Sequence, residues 1–267
     1  MTYNALPLRQ RHDNVKINFF IEDSQKGIFS SPWKVFPNMS AIENQLAGVT
    51  LVGDFNPAIF NPDWLKYRKI ITPQEAEQAQ IGIIHKEFTQ FQVGNLQIES
   101  SCENFSIKTS VEPFIKIADV IMGIFGEELK YTPIKAMGIN YHAHFKVASR
   151  DIQTKLGRAL APLAPWGEWG DKLESEEFEK RGGMANLTMQ QNDVSDRKSG
   201  RILVTVQPSN LLQPSGTGVF IAINDHYDQT VEDELSAPER CSKLFTPSLE
   251  RARWILTCLS NYAIGLE

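Results

Sequence analysis

Hydrophobic and polar residues alternate with a period of two from Ala136 to Val147. Met137, Ile139, Tyr141, Ala143, Phe145 and Val147 take one side, and Gly138, Asn140, His142, His144 and Lys146 take the other. Successive side chains of an extended chain leave on opposite faces, so this run predicts a strand with one apolar and one polar face. Such a strand belongs to a sheet that rests on a core by one face only. Similar runs recur along the chain. Val15–Ile21 is expected to be a first strand after a polar lead at 1–14, and Val49–Val52 a short one after an irregular stretch at 24–48. From Ile81 to Thr109 three strands are expected, the first over Ile81–Val93, with turns at Gly94-Asn95 and Cys102-Glu103-Asn104. Three further runs lie at Met184–Gln190, Ile202–Gln207 and Val219–His226. Short turns between alternating runs predict antiparallel pairing.

The pattern changes to helical spacing at Phe114–Leu129. There Lys116, Asp119, Gly123 and Glu127 form one narrow polar stripe, which predicts a largely buried helix lying across the apolar face of the sheet. Ser149 is placed to cap a second helix with Ile152, Leu156 and Leu160 inside, and Thr246-Pro247 to open a last one with Leu249, Ala252, Leu256 and Leu259 inside. Asn-Pro steps at Asn56 and Asn61 and the Thr72-Pro73 step predict short helices and turns, clamped by Phe60, Trp64 and Tyr67. Acidic stretches at 166–183 and 228–245 read as solvated loops, the first pinned by Trp166 and Trp169. The order implies an α+β fold: a large antiparallel sheet with helices packed on one face, two β-β-β-α units, and a single domain over 15–267.

Charge and cysteine usage narrow the function classes. A net charge of −5 argues against binding nucleic acid through bulk charge. No apolar run approaches the roughly 18 residues of a membrane span, and the first residues lack an apolar leader, so no membrane partner is expected. Cys102, Cys241 and Cys258 form no C-x-x-C pair. Cys102 falls in a hairpin turn, Cys241 in an acidic loop and Cys258 in a helix beside the core, and none has an activated setting. A cytoplasmic protein is expected. No cofactor is expected.

Thr132–Asn140 resembles a Pro-Ile-x-x-(Leu/Met)-Gly-(Ile/Leu) strand entry of uncharacterised, sporadically distributed bacterial proteins of about this size. Phe55-Asn56-Pro57, His85–Gln92 and Asn224-Asp225-His226-Tyr227 look like further landmarks of that family, over roughly 50–265. These are fold landmarks, and no catalytic residue is carried over with them. Sporadic distribution implies a bacterial or phage defence-type module.

His142 and His144 are the most chemical pair. Histidines at i and i+2 on a strand share a face and can hold one metal, with His226 as a third ligand; Asp225 and His85 also fall in expected strands. Beside this stands the plainer reading, a wide solvated or partner-contacting face that includes Asn140, His142, His144, Asn186, Thr188, Gln190, Thr205, Gln207, Asn224 and His226. Gly-x-Ser-x-Gly and phosphate-loop motifs are absent from the sequence. The expectation is a non-enzymatic binding or assembly protein that presents this face and its loops to a protein partner or to a second copy. The alternative is a small-ligand binder or metal-dependent enzyme, with a pocket between the sheet and the helix over 113–129.

Overall fold

The computed structural model describes residues 42–230 and 233–267. The expected lead at 1–14 and strand Val15–Ile21 lie outside the described residues. Among the described residues nine strands make one antiparallel sheet: β1 (Ile42–Gly53), β2 (Gln80–Ile84), β3 (Phe88–Val93), β4 (Leu96–Ser101), β5 (Asn104–Thr109), β6 (Ile134–Lys146), β7 (Leu187–Gln191), β8 (Gly200–Pro208) and β9 (Gly218–Asp228). The helices are α1 (Pro62–Tyr67), α2 (Pro73–Glu77), α3 (Lys116–Ile121), α4 (Arg150–Leu160), α5 (Gly167–Asp171) and α6 (Ala237–Ile264). The fold is α+β.

The strands lie in the order β2-β3-β4-β5-β1-β6-β9-β8-β7. Outward from the centre, each side begins with the first strand of its half of the chain and then runs backward from the last. Each half is therefore a strand, short helices, a meander of strands and a closing helix. The expected run of three strands and a helix is present in the second half as β7-β8-β9-α6, and in the first half it holds one strand more, β2 to β5 before α3. In the central ladder Val49 faces Ile139, Gly48 faces Asn140 and Thr50 faces Gly138. A two-fold relation through Val49 and Ile139 thus exchanges Gly48-Val49-Thr50 with Gly138-Ile139-Asn140.

Several expected boundaries move, each for a physical reason. β1 starts at Ile42, inside the stretch read as irregular; Gln45 breaks the apolar alternation, and it is accommodated on the core side because the Tyr141 hydroxyl donates to its Oε1 at 2.9 Å. Ile81–Val93 is two strands, because the chain reverses at His85–Glu87 and the His85 N–H donates to Phe88 O at 3.0 Å. The Phe114–Leu129 helix is α3 continued by a π-helical stretch, Met122–Glu128. Gly126 falls within it, and Met122 Sδ occupies the place that a Cβ on Gly126 would take. α6 begins at Ala237, not at Pro247. Ser236 and Glu239 form a reciprocal capping box there, and the helix runs on through Pro247 because buried Cys241 and Phe245 before it and Leu249 and Ala252 after it hold both turns on the core. Ser149 caps α4 as expected, accepting from the Ile152 N–H at 3.2 Å.

The core lies on the apolar face. Met137, Ile139, Tyr141, Ala143 and Phe145 of β6 pack with Ile117, Ile121, Ile124 and Phe125 of the helix that precedes the strand. Where these side chains meet, the space between the sheet and this helix is filled; a cavity of about 340 Å³ lies at the C-terminal end of the helix, lined by Phe55, Phe60, Glu128, Leu129 and Tyr131 among others. At the β5 side, Phe55, Phe60, Phe105 and Phe125 form an aromatic cluster, with Phe105 4.9 Å from both Phe60 and Phe125 between ring centroids. Tyr67 takes no part in this clamp and is exposed. Trp166 and Trp169 are also exposed and stack edge-on against each other, so they do not pin the acidic excursion to the core. Phe105 has no solvent exposure, so Phe105→Ala opens a cavity at the centre of the cluster and is expected to cost about 3–5 kcal/mol, measured by urea unfolding.

Candidate functional site

The face opposite the core carries the candidate residues. Side chains of β6 that leave on this side are Asn140, His142, His144 and Lys146, all half-buried or exposed. β9 adds Phe220, Ala222, Asn224 and His226 opposite them, β8 adds Arg201, Leu203, Thr205 and Gln207, and β7 adds Thr188 and Gln190. Asn186 precedes β7 and donates to Gln207 Oε1 at 3.3 Å. The eight residues singled out from sequence, Asn140, His142, His144, Asn186, Thr188, Gln207, Asn224 and His226, therefore share one side of the sheet. The face continues over the other half through Leu46 and Thr50 of β1, Ser106 and Lys108 of β5, Gln97 and Glu99 of β4 and Gln90 of β3. Alternation in each strand signals which side these residues take. Nothing in the sequence signals that β5 and β1 adjoin β6.

Hydrogen bonds cross the centre of this face. Asn224 Nδ2 donates to Asn140 Oδ1 at 2.6 Å, and Asn140 Nδ2 donates to Thr50 Oγ1 at 3.3 Å, which links β9, β6 and β1. Thr188 and Thr205 pair through their hydroxyls at 2.9 Å. Two pairs of charged groups lie on or beside the face, Lys108 with Glu99 at 3.1 Å and Lys146 with Glu43 at 3.5 Å, and Arg201 adds one more positive charge. What remains is mostly amide, hydroxyl and neutral imidazole.

The histidines behave as members of this surface. Burial pushes the His142 imidazole below its ordinary pKa, helped by His144 and Lys108 nearby, and burial does the same to His144. Their rings stand 5.7 Å and 4.7 Å from the Phe220 ring, and His144 Nδ1 lies 2.8 Å from Ser209 Oγ. His226 faces Gly138, four residues along β6 from His142, a separation of roughly 13 Å along the strand. It pairs instead with Asp228 at 3.0 Å. His85 sits in the β2–β3 turn, where its Nδ1 accepts from the Glu87 N–H. Among the described residues no group of three His, Cys, Asp or Glu side chains is arranged to hold a metal ion.

Asp225 points the other way, into the core, at 2% exposure. Arg197 donates to Oδ1, and Arg251, Ser248 and the Tyr227 hydroxyl donate to Oδ2 at 2.7, 2.8 and 3.2 Å. Asp196 closes the circuit by accepting from Arg197 Nε at 2.7 Å and from Arg251. Burial raises the pKa of Asp196, but the hydrogen bonds from Arg197 and Arg251 outweigh it and hold its carboxyl below the ordinary range. Burial drives the Tyr227 phenol far above its usual range. The arginine partners were not legible; a carboxylate on the apolar side of β9, between Ile223 and Tyr227, was the available signal. Cys102 lies in the turn between β4 and β5 as expected, while the other two cysteines differ from their expected settings. Cys241 lies buried in α6, where burial pushes its thiol up to about 12, and Cys258 is exposed.

A cavity of about 460 Å³ lies between α4, the 178–185 segment and the ends of β8 and β9, lined by Gln153, Arg158, Phe178, Arg181, Gln207 and Val219 among others. Arg158 and Arg181 already pair with Glu174 and Asp151. No helix among the described residues is long and apolar enough to cross a membrane. No protein-family model matches the chain, and no curated protein matches it.

Two outcomes test this description. Asp225→Leu leaves two guanidiniums without their shared carboxylate and is expected to cost about 3–5 kcal/mol in urea unfolding, whereas Thr188→Ala on the open face stays within about 0.5 kcal/mol. The histidines set a pH dependence of known sign. Their folded-state pKa values are lowered, so the unfolded chain binds protons first. Stability is whole above about pH 6.5, falls as pH drops below it, and levels off once the folded-state values are passed. In a His142→Gln, His144→Gln variant the stability difference between about pH 7.5 and about pH 5 shrinks.

Proposed function

We propose that this protein is a non-enzymatic binding or assembly protein that offers the open sheet face and its bordering loops to a protein partner. One observation carries the reading. A sheet of nine strands has its core on one side, while the other side keeps a broad, half-exposed row of uncharged hydrogen-bonding groups across at least five strands. Amides and neutral imidazoles both donate and accept, so they suit a polar partner surface matched group by group. Paired charges on the face disfavour capture of a polyanion. A setting in a bacterial or phage defence-type module is supported only by the family resemblance.

A second reading, small-ligand binding, is favoured by the cavity beside α4, whose volume falls within the ordinary ligand range of roughly 300–1,000 Å³.

The test compares capture by variants. A His142→Glu, Thr205→Glu chain carries new charge on the open face, and Tyr67→Glu carries it on an exposed residue of the helix side. A protein captured from the native host by wild type and by Tyr67→Glu, but lost from the double variant, supports the reading. Equal capture by all three chains refutes it.

A further inference from the structure

The two ends of the sheet are not equivalent. In the first half β3 is followed outward by β2, whereas in the second half nothing among the described residues pairs with the outer side of β7. β2 departs from regular pairing, with a register shift between Ile81 and Ile83 at Gly82. Such a bulge blunts an edge. β7 pairs with β8 in unbroken register over all five residues. From Asn186 to Asn192 it carries no charge and no proline, so the usual protections of a free edge are missing.

An apolar groove opens beside this edge on the helix side. It holds about 330 Å³ and is lined by Leu160, Met189, Val204, Ile255, Leu259 and Tyr262, among others. Met189 is 64% exposed. In the first half, the corresponding apolar side of the meander is covered by Phe60, Leu65 and Ile71 from the segment around α1.

We propose that the β7 edge pairs with the β7 edge of a second copy of this chain, antiparallel and centred on Met189. The chemistry of the strand is self-complementary in that register. Leu187 and Met189 line the groove, while Thr188 shares the open face with Thr205. A two-fold axis at Met189 sets Met189 against Met189 on the helix side, over the mouths of the grooves. It sets Thr188 against Gln190 on the open face, where hydroxyl and amide hydrogen-bond. Leu187 meets Gln191 and Asn186 meets Asn192, so no like charges are opposed. Two sheets become one, and the polar faces of both copies run together.

Sedimentation across the micromolar range tests this. Wild type is expected at twice the 30.2 kDa of one chain. Met189→Lys and Met189→Glu each place like charges face to face across the axis, so each alone is expected to sediment as a monomer. Their equal mixture pairs Lys with Glu and restores the dimer, which loss of folding could not do. Met189→Cys is expected to form a disulfide-linked dimer on oxidation, because directly opposed residues bring their Cα atoms to roughly 4.5–5.5 Å. Gln191→Cys, which faces Leu187, does not. A wild-type monomer throughout the range overturns the proposal. So does a dimer that survives both charge variants, or one broken only by Ile83→Lys at the opposite edge.

Discussion

The pairing of β1 with β6 is the contact on which the rest depends. It is the central ladder, it joins the first strand of each half, and it sets which side of every other strand meets the core. A slip of β6 by one residue would turn Ile139 and Tyr141 outward and bring Asn140 and His142 onto the helices. Glycines on these two strands sit tightly against the next strands out, β9 and β5. A Cβ on Gly138 would sit 2.7 Å from Asn224 Nδ2, and one on Gly48 would sit 3.0 Å from Ile107 O. A larger residue at Gly138 would displace the Asn224 amide from the Thr50–Asn140–Asn224 bridge, and one at Gly48 would press on the backbone of β5.

A second constraint acts where packing alone is thin. The loop between β7 and β8 has little apolar content, and Val194 is its main buried hydrophobe. Asp196 and Arg197 tie that loop to Asp225 of β9 and Arg251 of α6, two carboxylates and two guanidiniums in alternation. The Arg197 guanidinium also lies 3.7 Å from the centroid of the Tyr227 ring. A buried ion set of this kind contributes little net stability over a well-packed apolar one. Its effect is positional, because each partner removed leaves another charge buried without compensation.

Much of this could be read from alternation and little of it from adjacency. The faces of β6, β8 and β9 follow from period-two patterns, and Ser149 marks the start of α4 by its capping chemistry. The relation of the halves was present in Gly48-Val49-Thr50 and Gly138-Ile139-Asn140, yet three residues in each half are too few to stand out before the strands are seen side by side. The β2–β3 reversal was hidden because His85-Lys86-Glu87 carries neither Gly nor Pro. The start of α6 is hidden because Pro247 itself reads as a helix start, whereas the Ser236–Glu239 capping box lies in a strongly acidic stretch. His142 and His144 leave β6 on the polar side that the alternation implies. What the sequence could not show is that β6 and β9 set His226 beside Gly138 and away from His142.

That separation decides how the open face can act. Three convergent imidazoles would make a point of high affinity for one ion. Spread over two strands, with burial holding His142 and His144 neutral at ordinary pH, they become hydrogen-bonding groups among amides and hydroxyls. Such a surface gains little from long-range charge steering. Any partner of this face has to replace water at each amide it covers, because an amide buried without a hydrogen bond costs about 1–3 kcal/mol. Discrimination then comes from mismatched groups that lose water and find no partner, and a broad face with modest affinity per group can still reject most surfaces.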